Sequence, residues 1–386
     1  MYQNMKINYK FVPHGTAAPN HVDANEFWLD VGDRSAPQVL DHHGGDTSAM
    51  STFELIINKY KEHILSCLDP MKDITIVLHT SPDLDSISSV WLFTKIVTQP
   101  EIFETNYALK IIERAVGEND QGLVRTNNPK TNWAIVFRTI LMIPYSKVDN
   151  LSKLLVGIEL IEKTYILLEK GNSLEDAAQR LITKKIEISL EQAKLTYEKD
   201  LLTSDIFQVV LPKRKSLCFE EFLFSKQKND FKQKTKADAL ILHNPESILF
   251  KELARGDVIN SPQKKGFDLL IVSRDVTIQK DRTLKRYIIS TDPLSGFNLK
   301  GLGAKLEILE QTKEESMGLP LMKGRERLDD RSGGRYGHNV KAAWYDGRGH
   351  NYTIVDSPAI EYAGKIYCAS CLAIEEIKFS LFRPYL

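Results

Sequence analysis

The sequence has few cysteines and lacks both long apolar runs and net charge. Four cysteines in 386 residues are too few for a disulfide framework, and Cys368 and Cys371 lack the second Cys-x-x-Cys that would complete a zinc site. We interpret this pair as structural rather than as a redox motif. Because no apolar run approaches a membrane span and Met1 to Asn4 show no signal-peptide pattern, we expect a cytoplasmic protein with no membrane partner.

The net charge is zero, since 51 Lys and Arg residues balance 51 Asp and Glu residues. This balance argues against a long nucleic-acid partner and leaves a small or short anionic ligand open. The basic stretch over 213–236 is a local exception. Such stretches more often form a solvated surface than a track for a polyanion, and both interpretations stay open.

The most informative stretch is a predicted strand–loop–helix corner over 73–97. The segment 73–78 is apolar and β-branched, as in a buried strand, and 86–97 has the pattern of a helix. The loop between them contains His79, Asp83 and Asp85. Such corners are where parallel α/β sheets bind ligands, and oxygen and imidazole ligands suit a divalent metal such as Mn²⁺ or Mg²⁺.

Polar residues also follow other predicted strands. The strand over 26–32 contains Asp30, and the strand over 38–45 contains Asp41, His42 and His43. A helix over 51–68 would join them to the central strand in a βαβ arrangement. Further on, 108–112 predicts another strand, followed by a Gly-flanked acidic turn with Asp120.

Each of these side chains has a plain structural explanation when taken singly. His79 alone would more often be a core histidine, and Asp30 alone a turn residue. Their joint occurrence at predicted strand ends predicts a metal site. The candidates are Asp30, Asp41, His42, His43, His79, Asp83, Asp85 and Asp120.

The rest of the chain changes pattern twice. Helical periodicity over 133–142, 148–169 and 173–200 predicts a helical connector. Short strands over 237–243, 267–273 and 286–290 and a helix over 297–310 predict a smaller mixed lobe. We therefore predict an α/β protein with a parallel-sheet, metal-binding lobe over 1–145, the connector over 146–235 and a mixed α/β lobe over 236–386.

Two Gly-rich segments near the end of the chain carry basic residues. Glycine lets a backbone approach a phosphate closely, and Arg and His can neutralise its charge. For the second segment, a plain hairpin turn is about as good an explanation. The candidate phosphate-binding residues are Gly333, Gly334, Arg335, Gly337 and His338 in the first segment, and Arg348 and His350 in the second.

The Asp-His-His triplet after a strand, together with His-x-x-x-Asp-x-Asp-Ser opening a helix, resembles the DHH phosphoesterase superfamily. The motif order is rearranged here, because the triplet precedes His79. The resemblance implies two Mn²⁺ ions, with Mg²⁺ as an option, and catalytic roles for Asp41 and His43, the latter beside the substrate phosphate. The implied metal ligands are His79, Asp83, Asp85, Asp30, His42 and Asp120.

The loop over 333–338 is similar to the glycine-histidine loop of the substrate-binding domain that accompanies many DHH enzymes. The resemblance thus implies hydrolysis of phosphodiester bonds in short oligonucleotides or nucleotide second messengers. A pyrophosphatase or polyphosphatase, and a catalytically inactive nucleotide-binding sensor, are the alternatives. The expected partners are a small nucleotide or short oligonucleotide and, optionally, a second copy of the chain.

Overall fold

The computed structural model describes residues 5–14, 16–42, 50–99, 106–142, 149–212, 234–279, 282–297, 299, 302–316, 344–348, 353–356, 359–362 and 365–382. The chain is mixed α/β, and its contacts group it into two units. The first comprises Met1–Val124 and Asn128–Gln192, and the second Arg125–Asn127 and Ala193–Leu386. None of the described helices is both long enough and apolar enough to cross a membrane.

In the first unit, the described strands form one sheet in the order β1-β5-β2-β4-β3. Their bounds are β1 Ile7–Val12, β2 Glu26–Leu29, β3 Ser35–Ala36, β4 Val39–Leu40 and β5 Ile74–His79. Strands β1, β5, β2 and β4 are parallel, and β3 is antiparallel to β4. β5 lies between β1 and β2, and its apolar side chains are buried, as in parallel strands covered on both faces.

Several helices of this unit begin at caps that the sequence encodes. Ser51 and Glu54 form a capping box at the first of them, and Asp83 caps the helix after β5 by accepting a hydrogen bond from Ser86 N at 3.1 Å. The bounds are α1 Thr52–Leu55, a π-helical turn Ile56–Tyr60, α2 Lys61–Cys67, α3 Leu84–Thr98, α4 Tyr107–Asp120, a 3-10 turn Pro129–Thr131, α5 Trp133–Met142, α6 Asn150–Glu169, α7 Leu174–Leu181 and α8 Lys184–Leu201.

Helix α3 is buried along most of its length and packs against α6. The Trp91 indole donates a 2.7 Å hydrogen bond to Glu162, and its ring lies 5.4 Å from that of Tyr165. Helix α6, expected within a connector, thus packs in the first unit, and the unit boundary falls inside α8.

Two secondary-structure predictions are wrong. The strand expected over 108–112 is part of α4, because Asn106 caps a helix by accepting from Leu109 N at 3.1 Å and the apolar residues recur at helical spacing. The single helix expected over 173–200 is broken into α7 and α8, with an extended backbone at Ile182.

In the second unit, the described strands form a six-stranded sheet and a separate two-stranded sheet. In the larger sheet, ordered β10-β11-β9-β8-β7-β6, only β7 and β8 pair in parallel. Its core includes Tyr287, Trp344, Leu306 and Ile377. The bounds are β6 Asp205–Pro212, β7 Lys234–His243, α9 Phe250–Gly256, β8 Leu269–Gln279, β9 Arg282–Thr291, a 3-10 turn Pro293–Ser295, α10 Leu302–Ser316, β10 Tyr345–Arg348, β11 Thr353–Asp356, β12 Ala359–Tyr362, β13 Lys365–Cys368 and α11 Ile374–Phe382.

Candidate metal centre

The candidate ligands of the first unit meet at one edge of its sheet. Strands β2, β4 and β5 are parallel, so their carboxyl ends lie on the same side, as the sequence predicted. Asp30 directly follows β2, His42 follows β4, and His79 is the last residue of β5. The order of these residues along the chain is thus compatible with one shared site.

Asp30 is held in an uncommon backbone conformation. Its φ is +60°, a left-handed value that Asp tolerates better than most residues, and its amide donates to Leu40 O at 2.9 Å. Asp41 stabilises the loop that follows, because its carboxylate accepts a 2.6 Å hydrogen bond from Asp33 N. Asp41, expected to be catalytic, therefore also supports the loop that carries Asp30.

A first group of possible ligands contains Asp30, His42 and Asp85, all buried. His42 Nε2 lies 3.3 Å from Asp30 Oδ1 and 3.7 Å from Asp85 Oδ2. The Asp85 carboxylate also accepts from Thr52 N at 2.7 Å and Phe53 N at 3.0 Å. These two amides, at the start of α1, fix the orientation of Asp85.

A second group contains Asp30, His79 and Asp83. Here Asp30 uses its other oxygen, because His79 Nε2 lies 3.3 Å from Asp30 Oδ2. His79 Nδ1 lies 2.9 Å from Thr80 O. Since that carbonyl can only accept, it favours a proton on Nδ1, which leaves Nε2 of a neutral imidazole able to bind a metal. Within each group the ligand atoms lie within 4.8 Å of one another.

Asp120 reaches this site from the end of α4, not from a turn after a strand. Its Oδ2 lies 3.7 Å from His42 Nδ1, the nitrogen opposite the one that faces Asp30 and Asp85. A carboxylate beside the second nitrogen of a metal-binding histidine orients the ring and increases its basicity. The described geometry therefore places Asp120 behind His42, while His42 Nε2 faces the other carboxylates.

Burial and crowding shift the pKa values in the centre. Burial together with the charges of Asp30 and Asp120 raises the pKa of Asp85 well above its usual range. Burial lowers the pKa of His42, but the hydrogen bond with Asp30 and the nearby carboxylates outweigh it and raise that pKa well above normal. For His79, burial is likewise outweighed by Asp30, which raises the pKa to about 9.

The donor set fits divalent metal ions. Buried carboxylates repel one another, and a cation among them would relieve the crowding that raises the pKa of Asp85. Mixed carboxylate and imidazole ligands suit Mn²⁺, whereas purely oxygen ligands suit Mg²⁺ better. The structure thus supports a metal-binding function of these residues and leaves the ion to experiment.

The remaining predicted site residues are not placed by the structure. Arg348 is the last residue of β10, and its side chain lies outside the described part of the structure. The rest of them lie outside the described residues: His43, Gly333, Gly334, Arg335, Gly337, His338 and His350.

Two residues at this edge of the sheet were not predicted from the sequence to belong to the site. The Ser86 hydroxyl lies among the ligands of the second group, and the signal was its position directly after Asp-x-Asp. The His14 ring stacks on that of His79 with centroids 4.6 Å apart. His14 follows β1, which pairs with β5, so a predicted β1 would have pointed to it.

No family model, curated protein or solved structure matches this chain.

Proposed function

We propose that the protein is a Mn²⁺-dependent phosphohydrolase that cleaves phosphodiester bonds of short oligonucleotides or nucleotide second messengers. The observation that carries the proposal is the position of Asp30 between the two groups. Its Oδ1 lies 3.3 Å from His42 Nε2, and its Oδ2 lies 3.3 Å from His79 Nε2. One carboxylate shared by two ligand groups suits a pair of ions about 3.5–4 Å apart, the arrangement of two-metal phosphatases and nucleases.

The residues divide into holding and orienting roles. Asp30, His42 and Asp85 would hold one ion, and Asp30, His79 and Asp83 the other. The chemistry that such a pair supplies when bound is a water of lowered pKa and stabilisation of the attacking and leaving oxygens at phosphorus.

The protein's own contribution is to keep these ligands in place and in the correct protonation state. Asp120 orients His42 through Nδ1, and the Thr80 carbonyl does the same for His79. Thr52 N and Phe53 N hold Asp85. Contacts of the substrate phosphate with His43, Arg335 and His338 stay predictions from the sequence.

The test is turnover by the purified protein with Mn²⁺ or Mg²⁺ on linear dinucleotides, cyclic dinucleotides, pyrophosphate and a nitrophenyl phosphodiester. We expect Mn²⁺-dependent hydrolysis of one or more nucleotides that is lost in Asp30→Asn. Ser88→Ala is the matched control, because Ser88 is buried on α3 and its hydroxyl donates to Leu84 O within the helix.

The panel also separates the alternatives. Hydrolysis of pyrophosphate alone would indicate an anhydride-cleaving enzyme with the same metal chemistry. Nucleotide binding without turnover would indicate a sensor. If the protein neither binds nor hydrolyses any member of the panel in the presence of Mn²⁺, the proposal is contradicted.

A further inference from the structure

The hydroxyl of Ser86 lies where the second ligand group converges. Ser86 Oγ is 2.6 Å from Asp30 Oδ2, 2.6 Å from His79 Nε2 and 3.1 Å from Asp83 Oδ1. Its side chain is buried in the first turn of α3. One neutral group thus contacts a ligand atom of each of the three residues that could hold an ion.

An ion at this point would compete with the hydroxyl for the same space. Metal–ligand distances to imidazole nitrogen and carboxylate oxygen are about 2.0–2.2 Å, so an ion bound by these atoms would lie close to the present position of Ser86 Oγ. A hydroxyl has one proton to donate and two lone pairs, and can therefore link an imidazole to a carboxylate without any cation.

The other ligand group has a different environment. The Thr52 hydroxyl contacts Asp30 Oδ1 at 3.3 Å, and the Ser89 hydroxyl contacts Asp85 Oδ1 at 3.5 Å. Among the described hydrogen bonds, each of these two hydroxyls contacts only one of the possible ligand side chains, whereas Ser86 contacts three. They would not have to leave for an ion to bind between Asp30, His42 and Asp85.

We propose that the Ser86 hydroxyl takes the place of an ion in the Asp30, His79 and Asp83 group and is displaced when that ion binds. The inference rests on the metal centre of the proposed function. Its consequence is sequential binding: the Asp30, His42 and Asp85 group fills first, and the His79 group binds its ion more weakly.

The first experiment measures Mn²⁺ binding without substrate, by calorimetry and by the electron paramagnetic resonance of free and bound Mn²⁺. We expect two unequal sites in the parent protein. Ser86→Ala should tighten the weaker site roughly tenfold, because no hydrogen bonds of the hydroxyl must be broken. Ser88→Ala, on the same helix, should leave both affinities unchanged.

The second experiment compares urea midpoints in EDTA and in saturating Mn²⁺. A hydroxyl that contacts the ligands only before the ion binds stabilises only the metal-free protein. Ser86→Ala should therefore lower the midpoint in EDTA and leave it unchanged in Mn²⁺. A purely structural serine would change both midpoints equally, which is the result expected for Ser88→Ala.

Three outcomes would overturn the inference. Weaker Mn²⁺ binding by Ser86→Ala would make Ser86 a ligand, with the metal centre itself intact. Two equal affinities in the parent protein would exclude sequential binding, and this result does not depend on whether the variant folds. No Mn²⁺ binding by the parent protein would remove the metal centre, and the proposed function with it.

Discussion

Two buried clusters of acidic side chains, one in each unit, differ in what surrounds the carboxylates. In the first unit, Asp30 lies 3.3 Å from an imidazole nitrogen of His42 and 3.3 Å from one of His79. In the second unit, Glu310 accepts hydrogen bonds from Trp344 Nε1 at 3.1 Å, Ser370 Oγ at 2.5 Å and Cys371 N at 2.6 Å. Indole, hydroxyl and amide donors satisfy Glu310 without any ion.

Ligand spacing alone would not distinguish the two clusters, because Glu310, Glu314 and Cys371 also lie close enough to hold a metal. Their chemistry distinguishes them. Of the two, only the Asp30 cluster contains histidine, a common metal ligand. Glu310 already accepts three hydrogen bonds, and the Cys371 thiol stays protonated without an ion, because burial and the charge of Glu310 raise its pKa to about 12. We infer that the Glu310 cluster joins α10 to the segment around Ser370, and that the Asp30 cluster binds cations.

The largest effect that tests this comparison is expected for Asp30→Asn. Asn tolerates the left-handed backbone at this position, so the fold should be kept, but its single amide oxygen cannot serve two ions. We expect loss of at least one bound Mn²⁺ and an affinity more than about 100-fold weaker for the ion that remains. Calorimetric titration gives both numbers, and two ions bound at parental affinity would refute the shared role.

The reciprocal variant is Glu310→Ala. It leaves three donors without their acceptor, those of Trp344, Ser370 and Cys371, at a cost of roughly 3–5 kcal/mol in the free energy of unfolding. Mn²⁺ binding should stay within about twofold of the parent protein wherever the variant is folded, since separate sites act additively. A Mn²⁺-dependent gain in stability that is lost in this variant would make Glu310 a metal ligand after all.

Much of the candidate site could be predicted because its signals are local. The strand at 73–78, the helix after it and the polar residues between them follow from a β-branched run and a capped amphipathic segment. The common edge for Asp30, His42 and His79 follows from parallel strands. The prediction of a strand at 108–112 was wrong because Ala108, Leu109 and Ile112 fit both a short buried strand and a helix. The Asn106 cap favours the helix.

What could not be predicted depends on which atoms meet in space. Nothing in the sequence indicates that Asp120 approaches Nδ1 of His42, because that contact requires the length and direction of α4. Nor does a serine after Asp-x-Asp show that its hydroxyl would contact three ligand atoms. Such contacts are set by side-chain directions in the first turn of a helix, which periodicity does not resolve.

A pH titration of the metal-free protein tests the charge on His79. Its folded pKa of about 9 lies above the unfolded value of about 6.5. Protonation of His79 therefore stabilises the fold fully below about pH 6.5, and this contribution of at most about 3 kcal/mol is lost as the pH rises through 9.

The measurement is the free energy of unfolding in EDTA across this pH range. We expect a decline toward pH 9 that is less steep in His79→Gln. Glu310→Ala should leave the slope unchanged below about pH 8, where the thiol of Cys371 is protonated in both the folded and the unfolded chain. A parent protein whose stability does not fall over this range would contradict the assigned environment of His79.

The smallest effect concerns Asp120, and it separates orientation from direct coordination. If Asp120 acts through His42 Nδ1, Asp120→Ala should weaken Mn²⁺ binding by about 10–100-fold and keep two ions, since that is the usual cost of losing an orienting carboxylate. Asp120→Asn should weaken it less, because the amide oxygen can still accept from Nδ1. A direct ligand would instead be lost almost equally in both variants, with a stoichiometry below two. Titrating the two variants against the parent protein therefore decides whether the end of α4 positions the histidine or binds the ion itself.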